Sequence, residues 1–143
     1  MRILAVDWGE RRIGLAVSDP SGTLASPLPT RVVRGPEDAV EQVAGVAAGE
    51  GAERIVVGLP LLLSGERGEA ALAAESFAAR LAERTGIPVE TYDERLTSAL
   101  GARLLRESGT RRKRDKSQLD QSAAVMLLDS FLRRLAHLRR EEP

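Results

Sequence analysis

The sequence predicts a mixed α/β layered domain: a five-stranded sheet, three strands antiparallel and two parallel, flanked by helices. Three observations point there. Short apolar runs separated by turn residues fill the first 33 positions, two later apolar runs alternate with helical stretches, and two long segments carry apolar residues at three- and four-residue steps.

The elements follow in order. Arg2 to Val6 is apolar and too short for a helix, and Ile13 to Val17 is another such run. The polar stretch Gly9-Glu10-Arg11-Arg12 between them reads as a hairpin. Asp19-Pro20-Ser21-Gly22 has Asp, Pro and Gly where a type I turn prefers them. An irregular third strand then ends in Arg31-Val32-Val33, and Pro27 and Pro29, which lack ladder donors, confine it to an edge. A helical stretch runs from Gly35-Pro36 to about Gly49, and the β-branched run Arg54-Ile55-Val56-Val57-Gly58 reads as a buried parallel strand. Ser64 to Arg84 is predicted as a long Ala-rich helix packing through Ala70, Ala73, Phe77 and Leu81. Gly86-Ile87-Pro88 stops it and opens a strand through Tyr92, followed by helices from about Thr97 to Glu107 and from about Ser117 to Arg139. Successive strands pair antiparallel, whereas strand-helix units need crossovers and pair in parallel.

A chain of 143 residues with 43% hydrophobic side chains fits one domain, placed at 1–138 with a tail over 139–143. Without cysteine, any metal must be held by oxygen or by His137, the single histidine, which favours hard cations. Neither a signal-peptide core nor a run of about 20 apolar residues is present, so no membrane partner is expected and a cytoplasmic protein is. The net charge is +0, but Arg111, Arg112, Lys113, Arg114 and Lys116 form a local basic run, with Arg11 and Arg12 as a second pair.

Three carboxylate positions stand out. Asp7 ends the first strand, at the edge where α/β sheets collect ligands, although an aspartate that merely opens the hairpin turn would look the same. Asp93 and Glu94 end a strand expected to run parallel to the first, and alternation sends them to opposite faces. Periodicity leaves open which points inward, and both could simply be solvated residues of the next helical turn. Asp120 shares a helix face with Ala124, Leu127, Leu128, Phe131 and Leu135, the apolar stripe that must pack on the sheet. A competing role for it is the last position of a capping box, Ser117-Gln118-Leu119-Asp120. Asp129 falls on the opposite side, facing water. If the three carboxylates converge, each pair repels by about 4 kcal/mol at an effective dielectric of 20, and Mg²⁺ or Mn²⁺ would relieve that. Two such ions activate a water and stabilise a leaving oxygen in phosphodiester hydrolysis.

Four segments then resemble one known family. They are Val6-Asp7-Trp8-Gly9-Glu10-Arg11-Arg12-Ile13-Gly14-Leu15-Ala16, Val57-Gly58-Leu59-Pro60-Leu61, Tyr92-Asp93-Glu94-Arg95-Leu96-Thr97-Ser98, and Lys116-Ser117-Gln118-Leu119-Asp120-Gln121-Ser122-Ala123-Ala124. In order and spacing they are similar to the YqgF family of RNase H-like nucleases, described as processing the precursor of 16S ribosomal RNA and earlier grouped with Holliday-junction resolvases. The resemblance implies an RNase H-like fold, nuclease activity in ribosome biogenesis, and a catalytic, metal-holding triad of Asp7, Glu94 and Asp120; it is what selects Glu94 over Asp93. Two departures stand out. Leu62-Leu63-Ser64 replaces an Asn-containing polar turn, and Asp129 stands where the family usually carries Gln.

The basic run from Arg111 to Lys116 reads as a loop that holds phosphates, with Arg11, Arg12 and Arg95 as further contacts. With aromatic residues at 3%, backbone recognition is favoured over base stacking. The expected partner is structured nucleic acid, ribosomal RNA precursor before branched DNA, bound by a monomer or a homodimer. The rival readings are a non-catalytic nucleic-acid-binding module of ribosome assembly and a sugar-kinase or actin-type ATPase. The latter joins two domains of this topology, and no second copy is seen.

Overall fold

The computed structural model describes the backbone of residues 1–97 and 113–141, and the side chains of 1–97 and 123–140. Its elements are β1 (Ile3–Asp7), β2 (Arg12–Ser18), β3 (Ala25–Val32), α1 (Pro36–Glu50), β4 (Arg54–Leu59), α2 (Glu69–Thr85), β5 (Val89–Asp93), a 3₁₀ turn (Glu94–Leu96) and α3 (Lys113–Glu141). The sheet runs β3-β2-β1-β4-β5. The pairs β1–β2 and β2–β3 are antiparallel, and β1–β4 and β4–β5 are parallel, as the order of elements predicts. β3 lies at an edge, where Pro27 and Pro29 leave no ladder donor missing inside the sheet.

Strand alternation divides the core in two. Leu4, Val6, Ile13, Leu15, Ile55 and Val57 pack under α1 and α2 with Val43, Phe77 and Leu81. Ile3, Ala5, Ala16, Val56 and Tyr92 pack under α3 with Ala124, Leu127, Leu128 and Phe131. Each large side chain removed from water in these layers contributes about 1.5–3 kcal/mol before the entropy of ordering it is counted. Proline at the first helical position starts α1, where its missing N–H costs nothing, and Gly51 ends it in the left-handed region at φ 66°.

Four expectations are corrected. α2 starts at Glu69 rather than Ser64, because the intervening segment closes as a turn, with Leu62 N–H donating to Glu66 O at 3.0 Å and Gly65 N–H to Leu62 O at 2.8 Å. Its buried face is Ala71, Ala74, Phe77, Ala78 and Leu81, so Ala70 is exposed and Ala73 only packs at the margin. α3 starts at Lys113, four residues earlier than expected, so Lys113, Arg114 and Lys116 lie in helical backbone rather than a loop, and Ser117 stands inside the helix rather than at its N-terminus. It also continues to Glu141, through three residues expected in the tail. The helix expected from Thr97 to Glu107 lies outside the described residues beyond Thr97.

Candidate active site

Asp7 is the last residue of β1 and is 2% exposed. The β1–β4 register pairs Ala5 with Val56 and Val6 with Val57, so the next position on β4 is Gly58, and β4–β5 in turn pairs Gly58 with Tyr92. Ala5, Val56 and Tyr92 all lie in the layer under α3. Two-residue alternation therefore puts Asp7 and Gly58 on that same face.

Glu94 reaches the same spot from β5. It is 1% exposed, and a Cβ added at Gly58 would lie 2.6 Å from its Oε1. Its carboxylate thus occupies the space over Gly58 that any side chain would take, beside Asp7 on a strand about 4.8 Å away. Local geometry holds it there. Thr97 donates to Glu94 O from both N–H and Oγ1, each at 3.0 Å, which closes the 3₁₀ turn. Asp93, the residue before, caps that turn by accepting from Arg95 N–H at 2.9 Å.

Asp93 and Glu94 are therefore separated in role. Asp93 is gripped by the Arg95 guanidinium, with Nη2 to Oδ2 at 2.7 Å and Nε reaching both oxygens at 3.1 Å, which holds its carboxyl below the ordinary aspartate range. The same pairing raises Arg95 above the usual arginine value. Only Glu94 turns to the face shared with Asp7.

The direction of α3 completes the edge. Met126, Asp129 and Ser130 line a groove with Arg95, Leu96 and Thr97 at the carboxyl end of β5, while Leu135 and Leu138 share a groove with Arg54 and Glu90 at the strands' other end. The helix therefore runs from the carboxyl edge of β5 toward the amino edge, and backbone position 120, two turns before Leu127, lies toward the edge that bears Asp7 and Glu94. The Asp120 side chain is outside the described residues, as are Arg111, Arg112 and the side chains of Lys113, Arg114 and Lys116. Among the described residues no three acidic, histidine or cysteine side chains form a cluster.

Of the other expected contacts, exposed Arg11 and half-buried Arg12 stand at the hairpin following β1, at the carboxyl edge. Gly9 serves the hairpin itself, since a Cβ there would be 2.5 Å from Arg12 O. Trp8 is a packing residue, stacked on Phe77 with centroids 4.7 Å apart. Asp129 faces outward, paired with Arg133 at 3.0 Å, and exposed His137 acquires no role. Gly58 is the site position that sequence reasoning missed. Its signal was a glycine interrupting a β-branched strand, which marks close approach by another group.

Asp7 and Glu94 are buried carboxylates at the carboxyl ends of the two strands that flank β4, and such oxygens could serve a hard cation, because a divalent ion turns carboxylate repulsion into shared attraction. The residues present fit such a group. No helix among the described residues is long and apolar enough to cross a membrane.

A mixed sheet in this order, with buried Asp7 and Glu94 at its carboxyl edge, is an RNase H-like nuclease domain. Comparison with known proteins narrows the class. The family model described as "RuvX: Holliday junction resolvase" matches residues 1–134, and the chain belongs to that family. A "putative pre-16S rRNA nuclease" of Chloroflexus aggregans is 45% identical over 130 residues, which cover 91% of this chain and 92% of that protein. A protein of the same name from Pelotomaculum thermopropionicum is 41% identical over 142 residues, covering 99% and 92%. In fold, the chain is similar to Thermus thermophilus RuvC solved in complex with a Holliday junction substrate, with a TM-score of 0.60 at 19% identity, over 95% of this chain and 96% of that one.

Proposed function

We propose that this protein is a divalent-metal-dependent nuclease that cleaves the precursor of 16S ribosomal RNA, with Asp7, Glu94 and Asp120 holding Mg²⁺ or Mn²⁺. The observation that carries the reading is the burial of both Asp7 and Glu94, the second lying over Gly58 of the strand next to Asp7, at the carboxyl edge toward which the helix bearing Asp120 leads. The names of the relatives at 41–45% identity support the RNA substrate.

When bound, the metal supplies an activated water and stabilises charge on the leaving oxygen. The chain's own residues do the rest. Asp7 and Glu94 are fixed by their strands and by the 3₁₀ turn, so their oxygens need little reorganisation to act. Hydrolysis forms a bond from water oxygen to phosphorus and breaks the bond to the leaving ribose oxygen, which takes up a proton. Arg11, Arg12 and Arg95, with Arg111, Arg112, Lys113, Arg114 and Lys116, hold flanking phosphates and give the salt-dependent part of affinity. A homodimer would place two such sites on a branched substrate, whereas a monomer suffices for a single-strand cut.

The test is cleavage of a pre-16S RNA segment and of a DNA four-way junction in Mg²⁺ and Mn²⁺. Asp7→Asn and Glu94→Gln should each lower the rate by about a thousandfold or more, the several kcal/mol that metal-assisted charge stabilisation supplies. Mn²⁺ should raise the melting temperature of the wild type and not of Asp7→Asn. Wild-type activity retained by Asp7→Asn, or binding without cleavage under either metal, would sink the proposal; cleavage of the junction alone would move the substrate to DNA.

A further inference from the structure

The loop after β4 is built to display leucine. Leu62 is 52% exposed and Leu63 83%, in a turn closed by the two backbone hydrogen bonds that link residues 62, 65 and 66. Because β4 runs parallel to β1, this loop leaves the sheet at the edge that carries Asp7. It also touches the site's flank, since a Cβ at Gly65 would lie 3.3 Å from Nη1 of Arg95, the residue next to Glu94. Leu96, beyond Arg95, is 57% exposed.

All four aromatic rings of the chain, Trp8, Phe77, Tyr92 and Phe131, are buried in the core. None can stack on a base. Apolar contact with nucleobases at this edge therefore falls to the exposed leucines, and aliphatic side chains are known to enter between base steps and unstack them. A closed turn presents Leu63 with little entropy left to lose on contact.

We propose that the Leu62–Leu63 turn is an aliphatic wedge that meets nucleobases beside the scissile phosphate, so that the protein selects nucleic acid with unstacked bases at the cleavage position. This deepens the nuclease reading and rests on it.

The experiment uses the full chain in Ca²⁺, with an RNA hairpin carrying 2-aminopurine at its stem-loop boundary and a blunt duplex of the same stem. Wild-type protein should raise the 2-aminopurine fluorescence and bind the hairpin about tenfold more tightly than the duplex, equivalent to about 1.4 kcal/mol. Leu63→Ser should abolish the fluorescence rise and bring the ratio near one with duplex affinity unchanged, while Leu63→Phe preserves both. Leu24→Ser is the matched control, a leucine 68% exposed between β2 and β3 at the sheet's other end. It should behave as wild type. The wedge is overturned if the wild type shows no rise, if Leu63→Ser keeps it, or if Leu24→Ser loses it equally; the last two would fit leucines that serve a protein partner or general solubility. Failure of the nuclease reading looks different: no cleavage by wild type in Mg²⁺ or Mn²⁺, with the fluorescence still dependent on Leu63.

Discussion

The face of the sheet under α1 and α2 is lined by Leu4, Val6, Ile13, Leu15, Ile55 and Val57, and Trp8 closes it at the carboxyl edge by stacking on Phe77. The face under α3 is lined by the alternate residues of the same strands, several of them small, such as Ala5 and Ala16, and its carboxyl edge ends in Asp7, Gly58 and Glu94. One face is apolar to its end, and the other exchanges its last layer for carboxylates. Because side chains alternate with a period of two, a single strand can supply packing to one side and chemistry to the other. Slipping β1 by one residue would exchange Val6 and Asp7 between these environments, so the register that stabilises the domain is also the one that builds the site.

The contrast breaks most sharply at Asp7→Asn, which should remove cleavage by the thousandfold or more given above while changing denaturant stability little, as the amide is nearly isosteric. Phe77→Ala should do the reverse. It opens a cavity beneath Trp8 and should cost about 3–5 kcal/mol of folding free energy. The cleavage rate per folded molecule should stay near wild type, measured by urea denaturation alongside single-turnover cleavage; a large rate loss in fully folded Phe77→Ala would show that the two faces are not separable.

Gly58→Ala comes next. The new methyl group would stand 2.6 Å from Glu94 Oε1, so the flexible glutamate end must move aside. A displacement of about 1 Å at a catalytic group costs roughly a hundredfold in rate. A Gly58→Ala protein that cleaves as fast as wild type would mean that the carboxylate position over Gly58 is not the active one.

Much of this contrast was legible from residue pattern. Turn chemistry placed β1, β2 and β3, the two prolines assigned the edge, and the run Ile55-Val56-Val57 announced a strand buried on both sides. The stripe on α3 was legible too, because Ala124, Leu127, Leu128 and Phe131 recur at helical steps. What failed were element boundaries and one choice between adjacent residues. Ser64 to Gly68 lies in a stretch leading into an alanine-rich helix, and its own backbone hydrogen bonds close it as a turn instead. Lys113 to Lys116 looked like a loop because charge runs carry no apolar period, yet helical backbone needs none. Between Asp93 and Glu94 the residues themselves were silent. Arg95 engages the first, leaving the second to the inner face, and that depends on a turn whose geometry no periodicity encodes.

The smallest effect lies farthest from the site, in the turn between β2 and β3. Asp19 accepts backbone hydrogen bonds from Leu24 at 2.9 Å and Thr23 at 2.8 Å, and one from the Ser21 hydroxyl. The Leu24 N–H, first among these, and then Ser21 and Thr23 pull its pKa from 3.8 down to about 2. A carboxylate whose folded value lies below its unfolded one stabilises the fold above the unfolded pKa and loses that contribution as pH falls through the folded value. The window is therefore about pH 4 down to about 2. Asp19→Ala should lower the melting temperature at neutral pH by a small amount, and the difference from wild type should close as the pH is brought through that window. Its cleavage rate at neutral pH should match wild type, since the turn hangs from the amino edge of β1, where Met1 N donates to Pro20 O at 2.6 Å. A melting difference that stayed constant down to pH 2 would assign the turn's stability to backbone geometry alone, and a changed cleavage rate would mean that the two ends of the sheet are coupled.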